Sequence, residues 1–545
     1  MKKQLTKVCL LLLLFISNIS CKDYPILTVV IVVDQLANHQ FKKLIPNLNG
    51  GIKFLYENGT HYSDARFPYA ATTTAAGHAS LGTGTTPKDH GIMANYWFDE
   101  NDNKIKSVND LTKTSPVFYC ENDKKIKYKS ASNIKVDGLS DQVMLQDKEN
   151  NKVFSISIKD RAAIGMANKL GKAIWFDSAA HKFSSSKAYF NMIPKWVDDF
   201  NNKNLPTKDF KWELAYPKKS SYYDMVNINS YNYAAEKSLI DSIILFSDKN
   251  LKTKNQHENF LRSPKSSAML LELAKECIKN EFVDKPKTKF LLWISLSNLD
   301  KVGHLFGPDS YEYNDAVYQI DKQLDHFIKF VYSKVDPKKV LFVFTADHGV
   351  LRIPEILQEQ HFNAKRISPK DIIANLNAEI EKQFKIKNLV KTYKTPQFHL
   401  EKSILNKMDP AEKTKILDKI KSILKENPAF KNCWTFEELS KTSYPKDSIE
   451  FTYKNQLYPG RSGQIICQTQ PYMYIADYKT GTGHGTPYGY DSQVPLILYR
   501  NNNIKHKKVV KKVYTPQIAN TVAYIMDVPK PSASFYEVLP YLNND

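Results

Sequence analysis

Apolar runs of six to eight residues recur along the chain, and each closes on polar groups. Ile26–Val33 leads into Asp34, Val340–Thr345 leads into Ala346-Asp347-His348, and Phe290–Leu296 ends four residues before Asp300. A further run, Val153–Ile158, leads into Lys159-Asp160-Arg161. These runs are rich in β-branched residues and lack strict alternation, which predicts parallel strands covered on both faces. Between them the pattern changes to helical spacing, as in Asn314–Val331 with Ala316, Val317, Ile320, Leu324, Ile328 and Val331 on one side. The predicted fold is α/β, a central mostly parallel sheet sandwiched by helices. In such sheets ligands bind beyond the carboxyl ends of the strands, where these acids and histidines stand.

Two regions depart from this texture. About residues 352–478 read as an inserted cap or lid, opened at one point by Asp409-Pro410-Ala411-Glu412. That sequence places an N-cap, a proline and a capping-box acid ahead of a helix with Ile416, Leu417, Ile420, Ile423 and Leu424 on one face. About residues 191–289 are polar and tyrosine-rich and read as a second insertion near the substrate entrance. At the start, basic Met1-Lys2-Lys3-Gln4 precedes the apolar Val8–Ile16, too short to span a bilayer, so residues 1–20 read as a signal peptide. Ordinary cleavage around Ser20 and lipid attachment at Cys21 both fit, and the mature domain is expected to occupy 21–545. Either exit predicts export, to the periplasm or to an outer-membrane anchor at Cys21.

Composition narrows the class. With 545 residues and 42% hydrophobic content the chain can build a full core and is not disordered. The formal charge is +20, of which Lys2, Lys3 and Lys7 belong to the signal segment. The remaining lysines are scattered among Asn and Asp, and no zinc-finger, RNP or helix-turn-helix pattern accompanies them. A specific nucleic-acid partner is therefore not expected, and the charge reads as a solvated surface that helps an anionic substrate. Beyond the signal and Cys21 stand Cys120, Cys277, Cys433 and Cys467, none at metal-site spacing. An exported protein permits disulfides, and Cys433 with Cys467 is the preferred pair because both lie in the same late region.

The candidate chemistry is concentrated in Asp300-Lys301-Val302-Gly303-His304, Ala346-Asp347-His348-Gly349 and Gly483-His484-Gly485. With Asp34 they supply six carboxylate and imidazole ligands, the donor types that suit zinc-like dications at three per open catalytic site. Thr72-Thr73-Thr74 precedes Ala75-Ala76-Gly77-His78-Ala79-Ser80-Leu81, a small-residue turn entering a helix. A threonine hydroxyl there is either an ordinary cap or a nucleophile, favoured as alkoxide by the helix dipole and a nearby cation. Lys159 and Arg161 follow the predicted strand Val153–Ile158, and alternation places both side chains on the same face. His78 and His90 read as structural, Tyr96 and Trp97 as core aromatics, and Gly481–Gly485 lacks the context of a dinucleotide loop.

Taken in order, these motifs resemble those of the alkaline phosphatase superfamily, and more closely its phosphate-irrepressible, PafA-type bacterial alkaline phosphatases. The resemblance runs over most of the mature chain: Asp34, Thr74 with Ala75–His78, Gly84-Thr85-Thr86-Pro87, His90-Gly91-Ile92, Asn95, Lys159-Asp160-Arg161, Asp300–His304, Asp347-His348 and His484. It implies two Zn2+ per chain, one held by Asp300, His304 and His484, the other by Asp34, Asp347 and His348 with the Thr74 oxygen. It also implies Thr74 as the nucleophile, by its spacing to Gly77-His78 and Asn95, a phosphothreonine intermediate, and contacts from Asn95, Lys159 and Arg161 to the phosphoryl oxygens. Ala76 replaces the proline that relatives often carry, which loosens the turn without removing chemistry.

The implied activity is hydrolysis of small phosphate monoesters with broad specificity, by a chain expected to be monomeric. The alternative is a phosphodiesterase or nucleotide pyrophosphatase of the same superfamily, and the Lys159/Arg161 pair discriminates between them. A sulfatase is disfavoured because no Cys-x-Pro-x-Arg sequence is present. From outside the hydrolases, a basic surface-binding protein with a degenerate metal site is disfavoured by the full ligand set.

Overall fold

The computed structural model describes residues 24–119, 126–205, 209–244, 254–283 and 289–542. The signal segment, Cys21 and Cys120 lie outside the described residues. Nine strands, numbered along the chain, form the main sheet: β1 Leu27–Val33, β2 Thr60–Tyr62, β3 Lys152–Ser157, β4 Lys172–Asp177, β5 Lys182–Ser184, β6 Phe290–Leu296, β7 Val340–Thr345, β8 Leu496–Tyr499 and β9 Lys507–Val509. Their order across the sheet is β9-β2-β8-β7-β1-β6-β3-β4-β5. The run β7-β1-β6-β3-β4 is parallel, and β8 and β5 join its two sides antiparallel. Every residue of β1, β6 and β7 is buried, as expected of strands covered on both faces. Each fully buried Val, Ile or Leu there contributes roughly 1.5–3 kcal/mol, so a charged residue within these runs would be strongly destabilising.

Helices α1 Thr74–Thr83, α2 Asp160–Ala167, α3 Pro264–Glu281, α4 Asn298–Phe306, α5 Tyr311–Tyr332 and α6 Gln517–Met526 belong to this assembly. The pattern in 314–331 does form α5, with Ala316, Val317, Ile320, Leu324, Ile328 and Val331 all in the core. Helix α3 contributes Leu270, Leu271, Leu273, Ala274, Cys277 and Ile278 to the same core.

A separate core packs around a four-stranded sheet within 390–469, where Ile416, Leu417, Ile420 and Leu424 of the helix Pro410–Glu426 are buried. Asp409 caps that helix by accepting from the Ala411 and Glu412 amides. Cys433 and Cys467 face each other on neighbouring antiparallel strands and are disulfide-bonded, while Cys277 is a buried free thiol. No helix among the described residues is long and apolar enough to cross a membrane.

Strand register positions the chemistry. Val32 pairs with Ser295 on one side and Thr345 on the other, so β1, β6 and β7 end in step. Asp34 and Asp347 therefore leave adjacent strands at the same level, about one inter-strand spacing of 4.8 Å apart. Asp300 arrives at that level in the first turn of α4.

Candidate active site

Six side chains converge at this edge in two groups. The ligand atoms of Asp300, His304 and His484 lie within 4.8 Å of one another, and so do those of Asp34, Asp347 and His348. Asp300 and His304 share one face of α4 through i,i+4 spacing, with His304 Nε2 3.1 Å from Asp300 Oδ1. His484 joins them from a distant loop, its Nε2 3.6 Å from the same oxygen. In the second group His348 Nε2 stands 3.5 Å from Asp34 Oδ1 and 3.3 Å from Asp347 Oδ2. The rings of His348 and His484 stack at 3.6 Å, joining the two groups.

Each of the three imidazoles is oriented by its other nitrogen. Nδ1 of His304 donates to Thr482 O at 2.9 Å, that of His348 to Gly349 O at 3.0 Å, and that of His484 to Thr72 O at 2.6 Å. A carbonyl only accepts, so Nδ1 carries the proton and Nε2 presents a lone pair to the centre. Burial holds His348 down to about 3, in the neutral form that ligates a metal.

The donor set fits metal ions. Asp34 Oδ1, Asp347 Oδ2 and His348 Nε2 are buried without a hydrogen-bond partner, and all three face the same space. Unsatisfied acceptors of this kind are costly unless a cation meets them. Charge points the same way: three buried carboxylates, Asp34, Asp300 and Asp347, surround one ammonium, that of Lys159. Burial, reinforced by Asp300 and Asp347, pushes the Asp34 carboxyl up to about 7. Two dications held by the two groups would relieve that repulsion.

Thr74 is the first residue of α1, at the positive end of the helix dipole, which favours an anion. Its Oγ1 lies 3.5 Å from Lys159 Nζ, which itself contacts Asp34 Oδ2 at 2.5 Å and Asp300 more closely still. Burial opposes the Lys159 charge, but Asp300 and Asp34 outweigh it and raise its pKa, so the ammonium persists. Thr72 is already engaged, donating to Thr486 O at 3.2 Å. Asn95 Oδ1 accepts from the Ala75 amide at 3.0 Å, which leaves the Nδ2 donor for other partners. Gly77 allows the close approach of α1: a Cβ there would stand 2.9 Å from that of Asp347.

The structure corrects one expectation. Lys159 and Arg161 do not share a strand face, because β3 ends at Ser157; Lys159 is the N-cap of α2 and Arg161 lies in its first turn. Asp160 favours helix initiation at that point as an acid at the positive end of the dipole. Both cations nevertheless line one cleft beside the site, and Arg161 Nε is buried without a partner. His78 and His90 make the structural bonds expected of them: His78 Nδ1 donates to Thr74 O at 2.8 Å, and His90 bonds Ser80 Oγ at 2.9 Å and the Ile92 amide at 3.0 Å. Trp97 is in a core cluster, with Tyr96 half-buried beside it.

Two residues escaped the sequence reading. Gln35 sits between the ligand groups with φ 72°, its backbone N–H donating to Asp347 Oδ1 at 3.1 Å and its Nε2 to Asp300 Oδ1 at 2.9 Å. Its position next to Asp34 at a buried strand end was the available signal. Asp491 fixes the His484 loop by accepting from the Gly485 and Thr486 amides at 3.1 and 2.9 Å and from Thr486 Oγ1 at 2.6 Å. Nothing local in the sequence marks it.

The family model for type I phosphodiesterase / nucleotide pyrophosphatase matches residues 28–491, spanning all six ligands. The chain belongs to this family, within the alkaline phosphatase superfamily. Among curated members of the superfamily, alkaline phosphatase PhoV of Synechococcus elongatus is 28% identical over 533 residues, covering 94% of this chain and 92% of that protein. Alkaline phosphatase PafA of Elizabethkingia meningoseptica is 28% identical over 522 residues, covering 94% and 93%. The crystal structure of wild-type PafA superimposes with a TM-score of 0.82 at 25% identity, over 95% of this chain and 98% of that one. The central sheet, its flanking helices and the site described above thus stand in a fold shared with a solved alkaline phosphatase.

Proposed function

We propose that this chain is an alkaline phosphatase, a metal-dependent hydrolase of small phosphate monoesters with broad substrate range. The observation that carries the reading is the Lys159 ammonium, buried beside the Thr74 hydroxyl in a wall it shares with Arg161. A monoester dianion carries one more negative charge than a diester, and two cations with the Asn95 amide offer the matching donors. Asp300, His304 and His484 would hold one zinc ion, and Asp34, Asp347 and His348 a second, with Thr74 Oγ1 as a further donor. Such ions supply Lewis-acid stabilisation of the attacking and leaving oxygens.

The chain's own residues account for the rest. Thr74 Oγ1 attacks phosphorus in line, forming an ester bond as the bond to the leaving alcohol breaks. Water then attacks the phosphothreonine from the solvent side, releasing phosphate and restoring Thr74. That side is where His304 and His484 stand, half-buried, whereas Asp34, Asp347 and His348 are enclosed. Lys159, Arg161 and Asn95 hold the nonbridging oxygens through both steps. The carboxylates that hold Lys159 are metal-ligand candidates, so their engagement by metal would turn part of the ammonium's charge to the substrate.

One chain contributes all six ligands and the nucleophile, which supports a monomer. The early segment supports export to the periplasm, free or anchored at Cys21, and residues 352–478 with their separate core support a lid over the site. The deciding experiment compares the zinc-loaded protein on a phosphate monoester and a diester side by side. Clear preference for the monoester is expected; preference for the diester would move the chain to the phosphodiesterase reading.

A further inference from the structure

Lys159 and Arg161 are among the residues that line a cleft of about 1110 Å³, at or above the usual upper size of small-ligand sites. A phosphoryl group on a small alcohol fills only a fraction of that volume. Six lysines stand among the other residues of the cleft wall, Lys104, Lys106, Lys113, Lys127, Lys129 and Lys301, of which Lys301 is paired with Glu258 at 2.7 Å. The wall's three carboxylates are each engaged locally. Asp160 pairs with Lys129 at 2.8 Å, Asp110 binds the Thr112 hydroxyl at 2.6 Å, and Asp177 binds the Ala179 amide at 2.9 Å.

The backbone ties this wall to the phosphoryl contacts. Asn95 opens the strand Tyr96–Phe98, whose antiparallel partner Lys104–Lys106 pairs Lys106 with Tyr96. The Ser107 amide donates to Asn95 O at 3.0 Å, so Lys106 follows Asn95 at about one strand spacing. Lys104 and Lys106 share the exposed face of that strand, with Ile105 turned inward. The hairpin that follows Asn95 therefore carries two lysines on its exposed face, the face of Tyr96 and Phe98.

We propose that this cleft is a second anion subsite, which binds a remote phosphate of monoesters that carry more than one phosphate group. The proposal rests on the phosphatase reading above and extends it to a substrate class. A bisphosphate placed with one phosphate at Lys159 and Arg161 extends its other phosphate along the lysine wall. Long-range attraction also grows with substrate charge but is screened by salt, so the comparison is made at about 0.5 M salt, where a contact in a subsite outlasts mere steering.

The test compares phenyl phosphate with fructose 1,6-bisphosphate on the zinc-loaded protein and on Lys104→Gln/Lys106→Gln/Lys113→Gln, three exposed positions. We expect kcat/KM for the bisphosphate to fall about ten-fold, chiefly through KM, as for the loss of several partly exposed ion pairs. Phenyl phosphate is expected to change less than about two-fold, consistent with surface positions outside the reacting centre. Equal losses on both substrates, or no loss on the bisphosphate, overturn the subsite. A wild-type protein without turnover of phenyl phosphate refutes the phosphatase reading instead. In that event calorimetric titration of the two proteins with fructose 1,6-bisphosphate decides the subsite: tighter binding to wild type supports it, and equal binding removes it.

Discussion

Lys159→Ala tests the reading most directly, because this ammonium touches both metal-ligand groups and the nucleophile. Its Nζ is 3.5 Å from Thr74 Oγ1, which puts it roughly 4 Å from the charge on a phosphoryl group attacked by that oxygen. At that distance, and with an effective dielectric constant of about 20, unit charges interact by about 4 kcal/mol. Asp34 and Asp300 share the same ammonium and take part of this. What remains for the substrate is about 2–3 kcal/mol, the range of hydrogen bonds to charged groups. The expected loss in kcat/KM for phenyl phosphate is therefore about 30- to 160-fold. A diester such as methyl phenyl phosphate carries half the charge, so its loss should be about 5- to 12-fold. Both rates are measured on zinc-reconstituted protein whose metal content is checked by mass spectrometry. A second readout is independent of activity: in chelator-stripped protein, Lys159→Ala leaves three buried carboxylates without their cation and should lower Tm below that of stripped wild type. Equal losses on the two esters, with unchanged metal content, would refute the claim that Lys159 reads the extra charge of a monoester.

Thr74→Ala should cut turnover by at least about a thousand-fold with metal content intact, while Thr74→Ser retains measurable activity. Acid-quenched wild type should carry covalent phosphate that the alanine variant lacks; an active alanine variant would pass the nucleophile to Thr72 or Thr73. Gln35→Gly removes the amide that orients Asp300 while tolerating the backbone at φ 72°, and should weaken zinc binding about ten-fold in chelator competition. Unaltered zinc affinity would reduce Gln35 to a packing residue. Burial holds His61 and His399 down to about 4 and His90 to about 3, against 6.5 in the unfolded chain. The unfolded state thus takes up protons first, and Tm should fall as pH drops from about 6.5 toward 4. His61→Phe, which removes two buried nitrogens lacking partners, should make that decline shallower; an unchanged slope would mean other groups govern it.

Several elements were legible in the sequence because their causes are local. The unbroken apolar runs became β1, β6 and β7, since residues buried on both faces must be apolar wherever the strands lie in the sheet. Periodicity predicted α5, and Asp409 capped its helix as its side chain dictates. The i,i+4 spacing of Asp300 and His304 and the adjacency of Asp347 and His348 already put each pair on one side of the chain. Other features were decided by tertiary structure. The strand leading to Lys159 stops at Ser157, because the backbone turns into α2, so the two cations meet at a helix start rather than on a pleat. Lys159 reaches Asp34 across 125 positions and Asp300 across 141, and Gln35 reaches Asp347 across 312. Those contacts follow from the order and register of parallel strands, which no short window of sequence encodes. The sequence by itself determined which groups stand at strand ends and what chemistry they can perform. Only the packed sheet decided that three carboxylates, three imidazoles, a hydroxyl and an ammonium meet in one small space, enclosed around Asp34, Asp347 and His348 and open to solvent at His304, where each charge depends on the others.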